Sequence, residues 1–552
     1  MSTRRAPDEA EILIVGGGAV GLTLAVDAAS RGVPCHLVEA QLHRPINPRC
    51  NTTGARSMEH YRRLGVADEI RSVGLPESYP TTISYRTRVI GDEIFRLEKP
   101  SLGWVRSAAG SASWPTPEPQ HRISQIFLEP ILEARARDLG VFVERGTRVT
   151  GLSDEGEYVT VALESSEGSR MLRARYVIGC DGAHSTVRRA IGVRYQGVDA
   201  IRRFVSTYIR SPELGRLMAV DPAWTTWSYN RDGLSSLLAI DGNEMWLNHC
   251  LFPPEYDTSG EDPEQLLAQT VGRPVAHEQI GTIHWTGRQL VAERYRRGRI
   301  LLAGDAAHIW IPIAGFGMNA GIQDATDLAW KLAAIHRGWA GDGLLDSYEL
   351  ERRPIGDQVA CAVGRQASRS LEVTFDGEEI EAAGAAGRAA RDELAARLAV
   401  TEPARYDPVG LNFGYHYAGS PLVWAAESVA PELEIDRYEP LAHPGFRLPH
   451  MWRGDGSSIF DQLGADFTLL RTDPDPLDSA ALHRAARQRG IPLSDLTVPE
   501  PAAREIYGAR MLLVRPDQHV AWAANELPAD AGEILDRATG AAGVIDATDD
   551  RR

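Results

Sequence analysis

Three short glycine-containing motifs carry the residues of this chain that could do chemistry. The first, Gly16-x-Gly18-x-x-Gly21, follows the apolar run 12–15 and precedes apolar residues at helical spacing. Between a strand and a helix, such a loop lets a pyrophosphate approach the backbone, and the helix N-terminus stabilises its charge. The pattern predicts a dinucleotide-binding βαβ unit, with a purely structural glycine turn as the alternative.

An acidic residue ends the second strand of this unit. Glu39 closes the run His36-Leu37-Val38 and lies 18 residues after Gly21. Its carboxylate can accept hydrogen bonds from both hydroxyls of a ribose and would repel a 2′-phosphate. The loop is therefore predicted to hold FAD or NAD rather than NADP.

Two further motifs also follow apolar strand patterns. Cys180-Asp181-Gly182 comes after the run 175–179, and Gly304-Asp305 comes after the run 299–303. Each aspartate could simply close the turn after its strand. Each motif is weak alone, whereas the three in this order are informative together.

In that order the motifs resemble those of the single-component flavoprotein aromatic hydroxylases, the family of para-hydroxybenzoate hydroxylase and phenol hydroxylase. The resemblance covers residues 10–365 and includes the loop 312–319, where Ile311 replaces the family's first proline. It implies bound FAD, with NADPH, or NADH, as cosubstrate. It also implies that O2 hydroxylates a phenolic or aromatic substrate through a flavin C4a-hydroperoxide. A Baeyer–Villiger or epoxidising flavin monooxygenase on an aromatic polyketide-type substrate is the alternative, and the second and third motifs disfavour a plain NAD-binding protein.

The resemblance gives individual residues a role. Asp305 is expected to bind a ribityl hydroxyl of FAD, and Asp181 to lie near the pyrophosphate with Arg188. A helix beginning near Asn319 is expected to point its N-terminus at the flavin and stabilise negative charge there. The predicted cofactor-binding residues are Gly16, Gly18, Gly21, Glu39, Arg49, Gln125, Asp181, Gly304, Asp305, Gly315, Gly317, Met318 and Asn319.

The residue that would ionise a phenol is not evident from the sequence. Arg49 matches a family arginine near the flavin ring, and Asn51, where some relatives have a histidine, cannot act as a base. At least one of Trp224, Trp227 and Trp246 is expected to line an aromatic pocket, with core packing as the alternative for each, and Trp227 is assigned to the active site. The predicted active-site residues are Arg49, Asn51, Trp227 and Pro312. Further candidates for the base, each more simply read as structural, are Asp221, Tyr229 and His249.

The elements that must position these residues indicate an α/β fold, α+β overall. A Rossmann-type FAD-binding domain (10–76, 121–192 and 290–400) is predicted to interleave with an antiparallel-sheet substrate domain (77–120 and 193–289). Helices are predicted over 57–73, 126–139, 319–337, 380–398 and 479–489, with Pro354 near the start of another. By resemblance to the phenol and polyketide hydroxylase branch, residues 440–535 form a thioredoxin-like domain. No cysteine follows Cys361, so this domain is expected to have a structural or oligomerisation role, such as formation of a homodimer, rather than dithiol chemistry.

Composition excludes several classes of function. Of 552 residues, 59 are Lys or Arg and 75 are Asp or Glu, giving a net charge of −16 that disfavours nucleic acid and anionic membranes as partners. The five cysteines have no zinc-site spacing, so no metal is predicted. The apolar stretch 300–322 is interrupted by Asp305 and His308, so it is not a membrane span. No signal peptide is recognised, and a cytoplasmic enzyme is expected.

Overall fold

Three β-sheets organise the part of the chain described by the computed structural model, residues 7–100, 115–312, 315–371, 373–424, 431–473 and 479–541. The strands are β1 (Glu9–Val15), β2 (Cys35–Glu39), β3 (Ile83–Arg86), β4 (Glu93–Leu97), β5 (Phe142–Arg145), β6 (Arg148–Asp154), β7 (Val159–Ser165), β8 (Gly168–Gly179), β9 (Tyr195–Arg210), β10 (Thr225–Asn230), β11 (Gly233–Ala239), β12 (Met245–Phe252), β13 (Glu278–Ala292), β14 (Arg296–Arg297), β15 (Ile300–Leu302), β16 (His308–Ile309), β17 (Phe467–Arg471), β18 (Leu493–Thr497), β19 (Met511–Val514) and β20 (Val520–Ala524).

The helices connect and cover these sheets. They are α1 (Ala19–Ser30), α2 (Ala55–Arg63), α3 (Ala67–Arg71), α4 (Gln125–Asp138), α5 (Thr186–Ala190), α6 (Pro212–Met218), α7 (Pro263–Val271), α8 (Phe316–His336), α9 (Asp346–Leu371), α10 (Gly377–Glu381), α11 (Gly384–Thr401), α12 (Pro403–Tyr406), α13 (Val409–Phe413), α14 (Ala480–Arg489), α15 (Pro501–Tyr507) and α16 (Gly532–Ala538). None of the helices within the described ranges is long and apolar enough to span a membrane.

The first sheet has parallel strands at its centre, in the order β15-β8-β1-β2-β5. Ile12, Leu13 and Ile14 of β1 are at most 1% exposed, because helices cover both faces of such a sheet and its strands are continuously apolar. Strand β14 extends one edge, and the hairpin β6-β7 joins through β7 to β8. This arrangement agrees with the α/β fold that the sequence predicts.

The second sheet, in the order β16-β13-β9-β12-β11-β10-β3-β4, is antiparallel except where β10 pairs with β3. It receives strands from three separate stretches of the chain. Its longest strands, β9 and β13, run side by side over most of their length. The third sheet, β18-β17-β19-β20, has one parallel and two antiparallel pairings. With α14, α15 and α16 it gives the βαβαββα order of a thioredoxin-like fold.

Several predicted helices have different bounds in the structure. The segment 57–73 divides into α2 and α3, because Gly65 adopts a φ of +74° that ends the first helix. The segment 380–398 divides into α10 and α11 near Gly384, whose φ is +79°. Pro354 lies inside α9 rather than near its start. The preceding residues Glu351 and Arg352 are buried in ion pairs, and these contacts hold the helix through the proline.

A buried cluster of charges joins the third sheet to the helices of the first. Arg515, beside β19, contacts the carboxylates of Glu351 and Asp517 at 2.5 and 2.7 Å and that of Asp327 at 3.3 Å. Lys331 pairs with Asp327 and Glu351 at 2.8 and 2.6 Å. All five side chains are at most 2% exposed, so each charge depends on its partners. The cluster therefore fixes the C-terminal domain to α8 and α9.

Replacing Arg515 tests this coupling. Arg515→Met leaves the buried carboxylates of Asp327 and Glu351 with Lys331 alone and removes the arginine partner of Asp517, and we expect a loss of about 3–5 kcal/mol in the free energy of unfolding. Urea denaturation followed by tryptophan fluorescence measures the change. Arg194→Met is the matched control, because Arg194 is 84% exposed in its pair with Glu293 and should cost about 0–1 kcal/mol. Equal effects of the two substitutions would contradict a coupling role.

Candidate active site

The carboxyl ends of four neighbouring parallel strands meet at one edge of the first sheet. Val15 at the end of β1 pairs with Val38 of β2 and Gly179 of β8, and Gly179 pairs in turn with Leu302 of β15. The three glycine motifs begin within two residues of these ends. Ligands of open parallel sheets bind at this edge. The fold thus brings together motifs that are far apart in the sequence.

Glycines let the three motifs pack against one another. Gly16 has a φ of +112°, and a Cβ there would lie 2.3 Å from the carbonyl oxygen of Cys180. A Cβ on Gly21 would lie 2.0 Å from the carbonyl oxygen of Gly16. Gly304 has a φ of +59° and faces Val20 of α1, 3.0 Å from where its Cβ would be. Any side chain at Gly16 or Gly21 would push these backbones apart.

The N-terminus of α1 forms an open cradle. Its N-cap residue is Gly18, so no side chain accepts a hydrogen bond from the first turn. A Cβ on Gly18 would meet only Glu129 Oε1, at 3.7 Å. The Gly17 N–H donates to Glu39 Oε2 at 2.7 Å, which holds Glu39 over the loop. Uncapped N–H groups, open space at Gly18 and a nearby carboxylate fit the pyrophosphate and ribose of a dinucleotide.

Asp181 closes the turn that follows β8. Its carboxylate accepts hydrogen bonds from Ser185 Oγ at 2.5 Å and from the N–H groups of Thr186 and Val187 at 2.6 and 3.1 Å. Burial raises the pKa of Asp181, and these hydrogen bonds oppose the shift. The side chain therefore shapes the turn that supports Gly16, and a direct contact with a cofactor stays a prediction.

Asp305 is exposed in the cleft at the sheet edge. Within the described ranges its carboxylate makes no hydrogen bond or ion pair, and desolvation by nearby protein atoms raises its pKa against the opposing effects of His308 and Arg49. Arg49 is exposed in the same cleft. A carboxylate that faces a cleft and has no hydrogen bond from the protein can accept hydrogen bonds from ligand hydroxyls.

The turn at Gly304-Asp305 is held by a carboxylate of α8 that is not among the residues predicted from the sequence. Asp324 of α8 accepts a hydrogen bond from the Gly304 N–H at 3.0 Å and contacts His308 Nε2 and Arg352 Nε, each at 2.7 Å. Asp324 and His308 are at most 1% exposed. The signal in the sequence that could have identified Asp324 is an acidic residue in the helix that follows the Gly304-Asp305 motif.

Helix α8 begins at Phe316, three residues earlier than predicted. Its N-cap, Gly315, has a φ of +63°, and a Cβ on Gly317 would have no atom within 4 Å, so the N-terminus borders open space. Met318 is buried. Pro312 is exposed just before residues 313 and 314 of the predicted loop, which lie outside the described ranges.

Asn319 ties the start of α8 to the segment 52–57. Its Oδ1 accepts hydrogen bonds from the Gly54 N–H and from Ser57 Oγ, each at 2.7 Å. Its Nδ2 donates to the carbonyl oxygens of Thr52 and Gly315 at 3.0 and 2.7 Å. The side chain is thus fully used within the protein and positions the loop.

The segment 49–52 lies between the N-termini of α4 and α8. The Gln125 N–H and Ser124 Oγ both donate to the Arg49 carbonyl oxygen at 3.1 Å. Cys50 adopts a φ of +34°, a conformation that non-glycine residues adopt at a cost and that is found at functional sites. Burial raises the pKa of the Cys50 thiol to about 11, so it stays neutral. The half-buried side chain of Gln125 starts α4 beside this segment.

Trp224, rather than Trp227, lines a narrow cavity between the first and second sheets, together with Asn51, Arg122 and Ser124. Trp227 is 7% exposed and lies behind this cavity, where its Nε1 donates to Tyr406 Oη at 2.7 Å. The Trp224 ring contacts the same tyrosine edge-on, with 6.3 Å between the ring centroids. Trp227 therefore supports the cavity wall through Tyr406.

The candidates for the base occupy structural positions. His249 Nδ1 is hydrogen-bonded to Ser206 Oγ at 2.6 Å, and burial lowers the pKa of His249 to about 4. Tyr229 belongs to the core of the second sheet, and burial raises its pKa. Asp221 forms exposed ion pairs with Arg86 and Arg96. None of the three lines the Trp224 cavity.

Comparison with known proteins agrees with this geometry. Residues 9–363 match the family described as FAD binding domain, and residues 442–542 match aromatic-ring hydroxylase, C-terminal. The chain is 33% identical to the FAD-dependent monooxygenase apdD of Emericella nidulans, over 96% of this chain and 90% of that protein. It is 32% identical to aklavinone 12-hydroxylase RdmE of Streptomyces purpurascens, over 96% and 98%. The solved structure of the rebeccamycin biosynthetic enzyme RebC with reduced flavin matches with a TM-score of 0.88 and 32% identity, covering 97% of this chain and 100% of RebC.

Glu129, beside the α1 cradle, makes stability depend on pH. Burial raises its folded-state pKa from 4.5 to about 7, although Arg44, Arg145 and Arg49 oppose the shift. Its contribution to folding is therefore complete below about pH 4.5 and is lost as the pH rises through 7. We expect Glu129→Gln to gain about 1–3 kcal/mol over the wild type at pH 8 and nothing at pH 4.5.

Chemical denaturation of both proteins across this pH range checks the expectation. Glu133→Gln, on the next turn of α4, is the matched control. Ion pairs and hydrogen bonds with Arg145 and Arg137 lower the pKa of Glu133. This variant should therefore lose stability at neutral pH and approach the wild type as the pH falls. A pH-independent difference between Glu129→Gln and the wild type would show that folding does not shift the pKa of Glu129.

Proposed function

The chain belongs to the FAD-dependent aromatic-ring hydroxylases, and we propose that it hydroxylates a phenolic compound with NADPH, or NADH, and O2 in the cleft between the first and second sheets. The observation that carries the proposal is the convergence of three motifs on one sheet edge, beside a cavity lined by Trp224. The similar proteins named above include FAD-dependent monooxygenases, and this chain is an FAD-dependent monooxygenase as well. The phenolic substrate is our inference from the aromatic-ring hydroxylase match and the cavity lining.

Different residues at the sheet edge would contact different parts of FAD. The uncapped N-terminus of α1 would bind the pyrophosphate, Glu39 the ribose hydroxyls, and Asp305 the ribityl hydroxyls. Gly315 and Gly317 leave room for a ring at the N-terminus of α8, whose dipole stabilises negative charge. Bound FAD would accept a hydride from the nicotinamide and activate O2 for transfer to an aromatic ring.

The remaining residues keep water away from the reacting atoms. Asn319 fixes the loop at α8 against residues 52–57, and the Trp224 and Tyr406 rings form a rigid wall behind the cavity. A dry site matters because activated oxygen would otherwise be released as peroxide. The chain has one dinucleotide fingerprint, at Gly16 to Gly21, and FAD would fill it. The nicotinamide cosubstrate would therefore bind transiently in the open part of the cleft.

The role of Asp305 predicts a loss of FAD affinity on substitution. Asp305→Ala removes a charged acceptor of hydrogen bonds, each worth about 1.5–3 kcal/mol, so we expect the Kd for FAD to rise roughly 10- to 100-fold. Titration of the apoprotein with FAD, followed by flavin fluorescence, measures this. Asp199→Ala is the control, because Asp199 is 81% exposed on the second sheet and should leave the Kd unchanged. An unaltered Kd for FAD in Asp305→Ala would show that Asp305 does not bind FAD.

The reaction itself is tested with labelled oxygen. We expect a phenol to accelerate oxidation of NADPH and to gain one atom of 18O from 18O2, about 16 mass units for the natural isotope, because the oxygen comes from the flavin-activated gas. Mass spectrometry of the product gives the answer. Product oxygen derived from water, or no response to any phenol, would end the hydroxylase proposal. An ester formed from a ketone would instead support the Baeyer–Villiger alternative.

A further inference from the structure

Eight arginine side chains are buried within the described ranges, and six of them form ion pairs with carboxylates. The six paired arginines are Arg31, Arg56, Arg71, Arg352, Arg447 and Arg515. Arg188 donates to the Ala183 carbonyl oxygen at 3.2 Å, and burial lowers its pKa against the opposing charge of the nearby Asp181 carboxylate. Arg122 alone has neither an ion pair nor a carboxylate that acts on its pKa. A buried cation without an anion is costly, so its retention calls for a functional explanation.

Arg122 is one of the residues that line the Trp224 cavity. Arg122 is 6% exposed, and its Cζ lies 3.6 Å from the centroid of the Trp224 ring. Its Nη1 donates to Thr52 Oγ1 at 2.5 Å, whereas its Nε is buried and has no hydrogen-bond partner in the described structure. At least one hydrogen-bond donor of the Arg122 side chain, the Nε–H, therefore has no acceptor in the described structure.

The neighbouring titratable groups do not compensate the charge of Arg122. They are Cys50 and Tyr406, and burial raises the pKa of both groups above their ordinary values, so both are neutral near pH 7. Burial lowers the pKa of Arg122 itself to about 10, which leaves it charged. The cavity wall thus presents an uncompensated positive charge against the face of an indole ring.

Arg122 is also linked to the loop at the start of α8. Its partner Thr52 accepts a hydrogen bond from Asn319 Nδ2 at 3.0 Å through its carbonyl oxygen. A Cβ on Gly315 would lie 3.4 Å from Thr52 Cβ. One residue therefore separates the arginine from the loop that we assign to the flavin ring, and a group bound by Arg122 would belong to the molecule that reacts there.

We propose that Arg122 binds an oxyanion of the aromatic substrate, a carboxylate or an ionised phenol, and so selects anionic aromatic compounds. The assignment rests on the proposed function, because it places the substrate at the Trp224 cavity, which is too narrow for an aromatic ring in this structure and would have to widen. The Nε–H supplies the unused donor, and the indole of Trp224 holds the guanidinium plane. An ionised phenol is electron-rich, so the same contact would activate the ring without a dedicated base.

Two probe pairs distinguish the oxyanions on the FAD-loaded enzyme. Benzoate and benzamide differ in charge, and their Kd values are read from the perturbation of the flavin spectrum. 4-Nitrophenol reports its own ionisation by absorbance, and 4-nitroanisole cannot ionise. We expect the wild type to bind benzoate at least about ten-fold more tightly than benzamide, or to lower the apparent pKa of bound 4-nitrophenol by at least about one unit.

Arg122→Met should abolish whichever preference the wild type shows, and Arg122→Lys should retain part of it. Arg71→Met is the matched control: it removes a buried arginine that pairs with Glu118 away from this cavity, and it should leave the preference intact. A preference that survives in Arg122→Met overturns the assignment. Failure of the wild type to favour either anion, including failure to bind the probes, also overturns it.

Thermal unfolding separates a binding role from a structural one. Because Arg122 has no buried counter-charge, Arg122→Met should keep or raise the Tm of the ligand-free enzyme, whereas Arg71→Met should lower it. A large loss of Tm in Arg122→Met would mark Arg122 as structural. The proposed function fails separately, if no phenol stimulates NADPH oxidation in an enzyme that still binds anions through Arg122.

Discussion

The close approach of two backbone turns, at Gly16 and at Cys180, is the contact on which the rest of the site depends. With 2.3 Å between the position of a Gly16 Cβ and the Cys180 carbonyl oxygen, the ends of β1 and β8 can touch only if residue 16 is glycine. That contact sets the N-terminus of α1 over the sheet edge, and Val20 of α1 then packs against Gly304. The three motifs are therefore one structure, although some 290 residues separate the first from the last.

Much of the fold could be predicted from the sequence because its signals are local. The apolar runs of β1 and β15 and the glycines that follow them specify buried parallel strands and tight turns. The residues at which the helices begin and end were harder to predict from the sequence. The prolonged helix through Pro354 depends on the ion pairs of Glu351 and Arg352 with residues far away in the chain, which no local pattern reveals.

The candidate site was predictable to a lesser degree. The glycines, Glu39 and Asp305 lie at the predicted sheet edge, and their proposed roles follow from resemblance. The roles of Trp224 and Trp227 could not be separated, because the point at which β10 begins, just after Trp224, and the contact of Trp227 with Tyr406 decide which ring reaches the cavity. Asn319 and Asp181 look like ligands in the sequence, whereas their side chains are mostly engaged in holding loops in place.

Charged side chains have two distinct uses in this molecule. In the cluster around Arg515 each buried charge has a partner, and the cluster fixes the C-terminal domain to the helices of the first sheet. At the cleft, Asp305 and Arg49 are exposed and form no ion pair in the described structure, and the buried Arg122 has no carboxylate partner there. Paired buried charges thus specify the fold, whereas charged groups without an ion pair surround the place where we assign cofactor and substrate.

A crystal structure of the protein grown with FAD would show directly whether the three motifs form one cofactor site. We predict that the pyrophosphate lies at the N-terminus of α1 beside Gly18, with the ribose at Glu39. We also predict that the flavin ring lies between the Gly315–Gly317 backbone and the cavity of Arg122 and Trp224. A nicotinamide dinucleotide in the Gly16–Gly21 loop of crystals supplied with both cofactors, or a flavin ring remote from Gly315, would contradict this arrangement.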